Sequence, residues 1–244
     1  MSTGVMLVSG GSRGIGAAIV KLAARRGYDV AFTYARDPQS AEIVAQDVRA
    51  QGRWALPVQS DVGRAEDVAS LFEQVAKFGT LSALVCNGAI TGKNSRLDEA
   101  SIDTMREVLN VNVLGVMLCA REGVLRVSTR HGGAGGSIVL ISSRASLYGA
   151  AGEYVWYAAS KGAIDSFNLG LAREVGREGI RVNAVSPGPI DTQMHRPGRL
   201  QQGVEKSPMG RAGTPDEVAE AVLYITSPGA SYINGANLSV AGGA

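Results

Sequence analysis

The sequence predicts an α/β fold, a doubly wound parallel sheet of seven strands with helices on both faces. Three observations predict it. Short β-rich runs alternate with helical stretches along the chain, as a parallel sheet with right-handed crossovers requires. The first of these runs are continuously apolar, as strands buried on both faces are. A glycine-rich turn joins the first strand to the first helix. The 244 residues could form one large domain or two small ones. No Pro- or Ser-rich linker, repeat or charge block divides them, so a single domain over residues 1–244 is expected. A hydrophobic fraction of 45% is enough for a buried sheet.

Strands are expected near Val5–Ser9, Asp29–Tyr34, Ala55–Ser60, Ala83–Cys86, Ser137–Ser142, Arg181–Ser186 and Asn237–Val240. The first leads directly into Gly10-Gly11-Ser12-Arg13-Gly14-Ile15-Gly16 and then a helical stretch from Ala17 to Arg26. Strand, glycine loop and helix together suit a phosphate. Glycines permit a tight turn and close backbone approach, and the helix N-terminus offers free N–H groups and a positive dipole end. The spacing Gly10-x-x-x-Gly14-x-Gly16 leaves a longer loop than the common G-x-G-x-x-G. A Gly-rich turn that binds nothing is the bland alternative, disfavoured by the flanking strand and helix. This loop makes the expected fold Rossmann-type.

Helical periodicity runs from Thr104 to Val127 and from Tyr157 to Val175. Thr214-Pro215-Asp216-Glu217 reads as a helix start, with a Thr cap, Pro at the first position and Glu to close a capping box. Residues 190–213 are the least regular, rich in Pro and Gly, and are expected to form a substrate lid; the alternative is a plain surface excursion.

Tyr157 and Lys161 lie four residues apart on one helix face. A cation so placed should favour phenolate and lower the tyrosine pKa toward neutrality, giving a usable proton donor and acceptor. Tyr-x-x-x-Lys alone is weak, since a half-buried Tyr and a surface Lys would look the same. Ser142 and Ser143 end the apolar strand that precedes it.

Taken together, these motifs resemble the short-chain dehydrogenase/reductase family from about Val5 to Gly243. The resemblance makes Gly10, Ser12, Arg13, Gly14, Ile15 and Gly16 the cofactor loop, and Asp61-Val62 an adenine contact. It places Asn87-Gly88-Ala89 beside the cofactor, with Pro187-Gly188, Ile190 and Thr192 on its nicotinamide side. Asn112, Ser143, Tyr157 and Lys161 match the family's catalytic residues. In the implied roles, Tyr157 exchanges the substrate proton and Ser143 bonds the substrate oxygen. Lys161 holds the nicotinamide ribose, and Asn112 holds a water linking Lys161 to solvent. Asn112 could also be a polar residue satisfied within a helix kink, and the two readings are compatible.

Two departures stand out. The family order Asn-Ala-Gly appears as Asn87-Gly88-Ala89. Gly tolerates φ > 0 and Ala does not, so different torsions are permitted there. Binding is expected to survive. The stretch from Ser143 to Tyr157 is slightly longer than the family spacing, which leaves Ser142 and Ser143 competing for the catalytic role; the paired-serine pattern favours Ser143.

The second strand ends without an acid at Tyr34, where an NAD site would place one for the ribose 2′-OH. Arg13 and Arg36 could clamp a 2′-phosphate instead. NADP(H) is therefore the expected cofactor, with NAD(H) as the alternative should Asp37 reach the ribose.

The net charge of +2 is too weak for a nucleic-acid surface. No segment with signal-peptide character opens the chain, and no run of roughly 18 apolar residues is evident, so a cytoplasmic protein without membrane contact is expected. Cys86 and Cys119 lie among apolar neighbours and read as buried thiols. His131 and His195 are far apart, and no metal is expected. The partner is then a small-molecule carbonyl or alcohol. Two branches remain open. One is 3-oxoacyl-carrier-protein reduction, for which Arg121, Arg126, Arg130, Arg144, Arg196 and Arg199 are candidate carrier contacts. The other is sugar or polyol oxidation, suited by the polar and aromatic run from Gly152 to Tyr157. A non-catalytic NADP-binding sensor is the alternative from another class. A homotetramer is expected, as is common in the resembling family. Val111, Leu114, Met117 and Leu118, with Ala163, Phe167 and Leu171, put apolar residues on more than one face of their helices.

Overall fold

The computed structural model describes residues 3–193, 198–205 and 207–244. Its strands are β1 (Val5–Val8), β2 (Asp29–Tyr34), β3 (Ala55–Gln59), β4 (Leu81–Cys86), β5 (Gly136–Ile141), β6 (Ile180–Pro187) and β7 (Asn237–Val240). They form one sheet in the order β3-β2-β1-β4-β5-β6-β7, every pair parallel. The winding reverses between β1 and β4, and in such sheets the ligand crevice opens at the carboxyl ends beside this reversal.

The helices are α1 (Gly14–Arg25), α2 (Pro38–Ala50), α3 (Ala65–Phe78), α4 (Ile102–Leu109), α5 (Gly115–Val127), α6 (Ala145–Tyr148), α7 (Val155–Val175), α8 (Arg199–Glu205) and α9 (Pro215–Thr226). Side-chain alternation along the strands builds two cores. Met6 and Val8 of β1, with Ala83 and Val85 of β4, pack against α1, α2 and α9. Val5 and Leu7, with Leu84 and Cys86, pack against α3, α5 and α7. Double burial explains why these strands read as unbroken apolar runs.

β2 and β7 begin and end where the sequence places them. Elsewhere the ends move by a few residues. Helix α1 begins at Gly14 rather than Ala17, because Arg13 has extended backbone and occupies the cap; two of the loop glycines are thus the first turn of a helix. The helical stretch expected over 104–127 runs from Ile102 to Val127 but is interrupted by a π turn over Asn110–Leu114. The expectation about membrane-span character is corrected in one respect. This 102–127 run is long and apolar enough, by length and composition alone, to cross a bilayer. Its buried side faces the second core through Val116, Cys119 and Val127, and Leu109, Leu114, Met117 and Leu125 are exposed. A core helix with a partly apolar outer side meets the same criterion.

The capping box is formed at α9. Thr214 Oγ1 accepts from Glu217 N at 3.2 Å, and Glu217 Oε2 accepts from Thr214 N at 2.8 Å. The expected lid segment is pinned at its base: Asp191 N donates to Gly213 O and Gly213 N to Pro189 O, each at 2.9 Å. Short helix α8, not expected from the sequence, lies within it.

Candidate active site

The glycine loop is held from both neighbouring strands. Gly10 N donates to Thr33 Oγ1 at 2.9 Å and Gly11 N to Thr33 O at 2.8 Å. From β4, Asn87 Nδ2 spends both hydrogens, on Ser9 O and Gly10 O, each at 3.0 Å. Ser9 Oγ accepts from Asn87 N and Gly88 N at 3.0 and 2.9 Å. Gly10 and Gly14 have φ of 65° and 53°. At Gly16 closeness of approach, not torsion, demands glycine: a Cβ there would lie 2.0 Å from Gly10 O. Ser9 and Thr33 are absent from the site residues expected from sequence. Hydroxyls at the ends of otherwise apolar strands are the signal that could have found them.

The swapped pair after β4 is unstrained. Neither Gly88 nor Ala89 has positive φ, so neither order of the two residues needs the freedom of glycine.

At the end of β2, Tyr34 is half-buried and packs against the first core, and Arg13, Arg36 and Asp37 are exposed. Asp37 is committed elsewhere. It caps α2, accepting from Ser40 N at 3.0 Å and from Ser40 Oγ at 2.5 Å. These bonds hold its carboxyl below the ordinary value, and the nearby Arg13 charge adds to them. Asp61 Oδ1 accepts from Gly63 N at 2.9 Å, and buried Val62 packs beneath Gly115. On the other side of the cleft, Gly188 N donates to Val240 O at 3.0 Å, and Ile190 is buried. Thr192 closes on the glycine loop, its Cγ2 lying 3.5 Å from where a Gly14 Cβ would be.

The four candidate catalytic residues come from three places, the π turn, the end of β5 and helix α7, and meet where β4 and β5 end. Tyr157 and Lys161 share a face of α7 and are both largely buried. Ser143 lies close enough to the Tyr157 hydroxyl to pull its pKa down, and Ser143 Oγ accepts from Ala145 N at 3.1 Å. Ser142 is not at this position; its hydroxyl is buried against Asp165 at 2.5 Å and Lys161 O at 3.2 Å. The geometry therefore favours Ser143. Asn112, fully buried in the π turn, clamps Ile90 from both sides. Its Oδ1 accepts from Ile90 N at 2.9 Å, and its Nδ2 donates to Ile90 O at 2.8 Å and to Ser160 Oγ at 3.1 Å. Asn112 is thus satisfied within the helix kink, which is compatible with its also holding a water.

One expectation is reversed. The Tyr157–Lys161 spacing predicts a lowered tyrosine pKa, yet burial pushes the Tyr157 hydroxyl up to about 12, against a smaller downward pull from Ser143. Lys161 is pushed down to about 8, also by burial, and Asp165 is the leading opposing influence. The reason is geometric. Lys161 Nζ donates to Ile141 O at 2.7 Å and sits 5.8 Å from the Tyr157 ring centroid, so its charge is spent on a carbonyl of β5.

The substrate side is mostly apolar. Val108, Ala145, Ala150, Trp156 and Tyr157 form a buried cluster joined by Ile90 and Met105. Trp156 spends its Nε1 hydrogen on Thr91 O at 2.9 Å, and Tyr154 packs edge-on to Tyr157 with centroids 5.4 Å apart. The longer Ser143–Tyr157 connection is absorbed by α6 and the following turn, where Ala150 has φ of 49°, the one positive value at a non-glycine among the described residues. The candidate arginines do not form a free patch, in keeping with the ordinary scattering of surface arginines that the sequence favours. Arg121 and Arg126 both pair with Glu122, and Arg130 faces Glu178. Arg144 has no acidic partner among the described residues. His195, Arg196 and the side chain of Arg199 lie outside them.

A family model described as enoyl-(acyl carrier protein) reductase matches residues 10–244. The uncharacterized oxidoreductase YgfF of Escherichia coli (strain K12) is 41% identical over 244 residues, covering 98% of this chain and 99% of its own length. A short-chain dehydrogenase/reductase from Serratia marcescens is 38% identical with a TM-score of 0.92, covering 99% of this chain and 98% of its own. A short-chain dehydrogenase from Burkholderia cenocepacia, solved in complex with NADP, is 36% identical with a TM-score of 0.91, covering 98% and 96%. The chain belongs to the short-chain dehydrogenase/reductase family. It is an oxidoreductase that interconverts CH–OH and C=O groups.

Proposed function

We propose that this protein is an NADP(H)-dependent reductase of small, largely apolar carbonyl compounds, with Tyr157 as the proton donor. The observation that carries the reading is the buried Tyr157 hydroxyl set beside the Ser143 side chain in an apolar wall. A hydroxyl pushed up to about 12 is fully protonated at neutral pH. It is therefore loaded for reduction: as negative charge develops on a carbonyl oxygen, Tyr157 releases its proton to that oxygen. Ser143 orients the same oxygen and stabilises its charge. Lys161, a cation 5.8 Å from the Tyr157 ring centroid, would hold the nicotinamide ribose. Asn112 fixes the backbone at Ile90 and so holds the wall in place.

The residues present fit a dinucleotide. The backbone cradle at Gly10–Gly16 admits no Cβ at Gly16, and the first turn of α1 presents its N–H groups. Arg13 and Arg36 would hold the 2′-phosphate, while Asp37, occupied as a helix cap, leaves the 2′ position without a carboxylate. When bound, the nicotinamide supplies the hydride. A relative solved with NADP supports this choice. Residues 190–213, pinned at Ile190 and Gly213, are the proposed lid, and the whole chain acts as one domain.

The apolar wall, with the Trp156 N–H already spent, favours a reductase of apolar ketones over a polyol dehydrogenase. The paired arginines weaken the case for carrier-protein docking. NADPH oxidation measured against aromatic and aliphatic ketones, acetoacetyl thioesters and sugars tests this. Turnover confined to sugars would reject the apolar reading, and no turnover on any carbonyl would favour the sensor. We further propose a homotetramer, built through exposed Leu109, Leu114, Met117 and Leu169; a monomer mass by light scattering at micromolar concentration would reject it.

A further inference from the structure

We infer that Asp165 is a positioning residue for the catalytic apparatus, supplying the counter-charge that keeps the buried Lys161 ammonium charged and fixing the helix turn that bears it. Asp165 lies four residues beyond Lys161 on α7, on the same face. Its Oδ1 accepts from Ser142 Oγ at 2.5 Å and from Asn237 Nδ2 at 2.8 Å. Ser142 Oγ is also 3.2 Å from Lys161 O, and Ser186 Oγ donates to Asn237 Oδ1 at 2.7 Å. The carboxylate thus ties α7 to the ends of β5, β6 and β7 directly behind the active-site helix turn. This also gives Ser142 a role that the paired-serine pattern leaves blank.

The environment of Lys161 makes the counter-charge matter. A buried ammonium pays a large desolvation penalty, and its one hydrogen bond, to Ile141 O, is to a neutral acceptor. The groups facing it are the Tyr157 ring on its own helix, the Cys86 thiol from β4 and Asp165. Burial pushes the Cys86 thiol up, so it is neutral in the working range. Among the described residues Asp165 is therefore the single formal negative charge acting on Lys161, and it raises the Lys161 pKa against the burial that brings it to about 8. Removing that charge disfavours the ammonium, so the pH at which Lys161 loses its proton moves down.

The inference rests on the proposed role of Lys161 as a cation, and the test separates the two. The pH dependence of kcat/KM and of NADPH affinity, by fluorescence titration, is measured from pH 6 to 10 for wild type, Asp165→Asn and Asp165→Glu. The wild type should show a basic limb near pH 8. Asp165→Asn should move it down by about one pH unit. By that shift kcat/KM stays within about twofold of wild type at pH 6 and falls about fivefold at pH 8 and tenfold at pH 9. Asp165→Glu should restore the limb. A uniform loss at every pH, with the limb unmoved, overturns the inference and leaves Asp165 a structural tie. A wild type with no basic limb in either measurement overturns the Lys161 reading itself. If Asp165→Asn does not fold, Asp165→Ser, which can keep a hydroxyl toward Ser142, carries the same measurement.

Discussion

The two sides of the cleft are built differently. On the cofactor side, polar side chains hold backbone. Thr33, Ser9 and Asn87 tie the glycine loop from both neighbouring strands, and Gly16 packs so closely that a methyl group has no room. On the substrate side, side chains form the wall, and the connections carry the irregularities: an unusual φ at Ala150, exposed Leu147 and Tyr148, and a long segment tied at its base through Gly213 and again where Met209 N donates to Gly242 O. A dinucleotide presents the same phosphates and riboses to any protein that binds it, which suits a fixed backbone cradle. A substrate varies, and a wall of apolar side chains can vary with it. The contrast explains why the cofactor class follows from the sequence and the substrate does not.

The largest expected effect separates the two sides cleanly. Tyr157→Phe removes the hydroxyl and keeps the ring that packs against Tyr154. Turnover should fall by at least about a hundredfold, the scale of lost general acid catalysis, while NADPH affinity by fluorescence titration stays within about twofold. Retained turnover would pass the proton role to Tyr154 or Tyr148.

Gly16→Ala attacks the cofactor side alone. The added methyl would meet Gly10 O at 2.0 Å and Asn87 Nδ2 at 2.6 Å, the former a backbone atom that other bonds hold in place. Overpacking of this kind costs about 1–3 kcal/mol, and the short distance puts Gly16 at the upper end. NADP(H) and NAD(H) should weaken together, and the thermal midpoint should fall. Unchanged affinity for both would show that the loop is looser than its hydrogen bonds imply.

Arg36→Ala is more selective. A charge-assisted bond to phosphate is worth about 1.5–3 kcal/mol, so NADP(H) should lose roughly ten- to a hundredfold against NAD(H). Arg13→Ala should act in the same direction but also disturb Asp37, whose carboxyl the Arg13 charge helps to hold low. Tyr34→Asp should push further by repelling the phosphate. Titration with both cofactors decides it, and equal losses for the two would dismiss the phosphate clamp.

Legibility followed the same division. Strand alternation, the glycine loop and the Thr214 capping box are local patterns, and each appears where the sequence places it to within a few residues. The missed contributors act across long sequence separations. Thr33 matters because β2 lies beside β1, and Asp165 because α7 passes Ser142 and Asn237. The direction of the Tyr157 shift was misjudged for a related reason. Helical spacing puts Lys161 on the same face as Tyr157, but only the fold shows that its ammonium reaches Ile141 O and that the phenol is buried.

The smallest effect tests whether the cofactor side is uniformly intolerant or only tight where backbones meet. Gly88 sits two residues from the end of β4 and donates its N–H to Ser9 Oγ at 2.9 Å, so it belongs to the same cradle as Gly16. Yet its φ lies outside the left-handed region that favours glycine. A Cβ there would meet Ser9 Oγ at 3.4 Å and Gly10 N at 3.7 Å, ordinary van der Waals separations. Gly88→Ala leaves the donor to Ser9 in place and removes freedom from the unfolded chain. An Ala that fits without strain in place of Gly adds about 0.4–1 kcal/mol of stability. The thermal midpoint should therefore hold or rise slightly, with NADP(H) affinity within about twofold of wild type. A fall comparable to that of Gly16→Ala would mean that the Gly88-Ala89 order is required by close approach of the bound cofactor, and that tightness extends along the whole cradle.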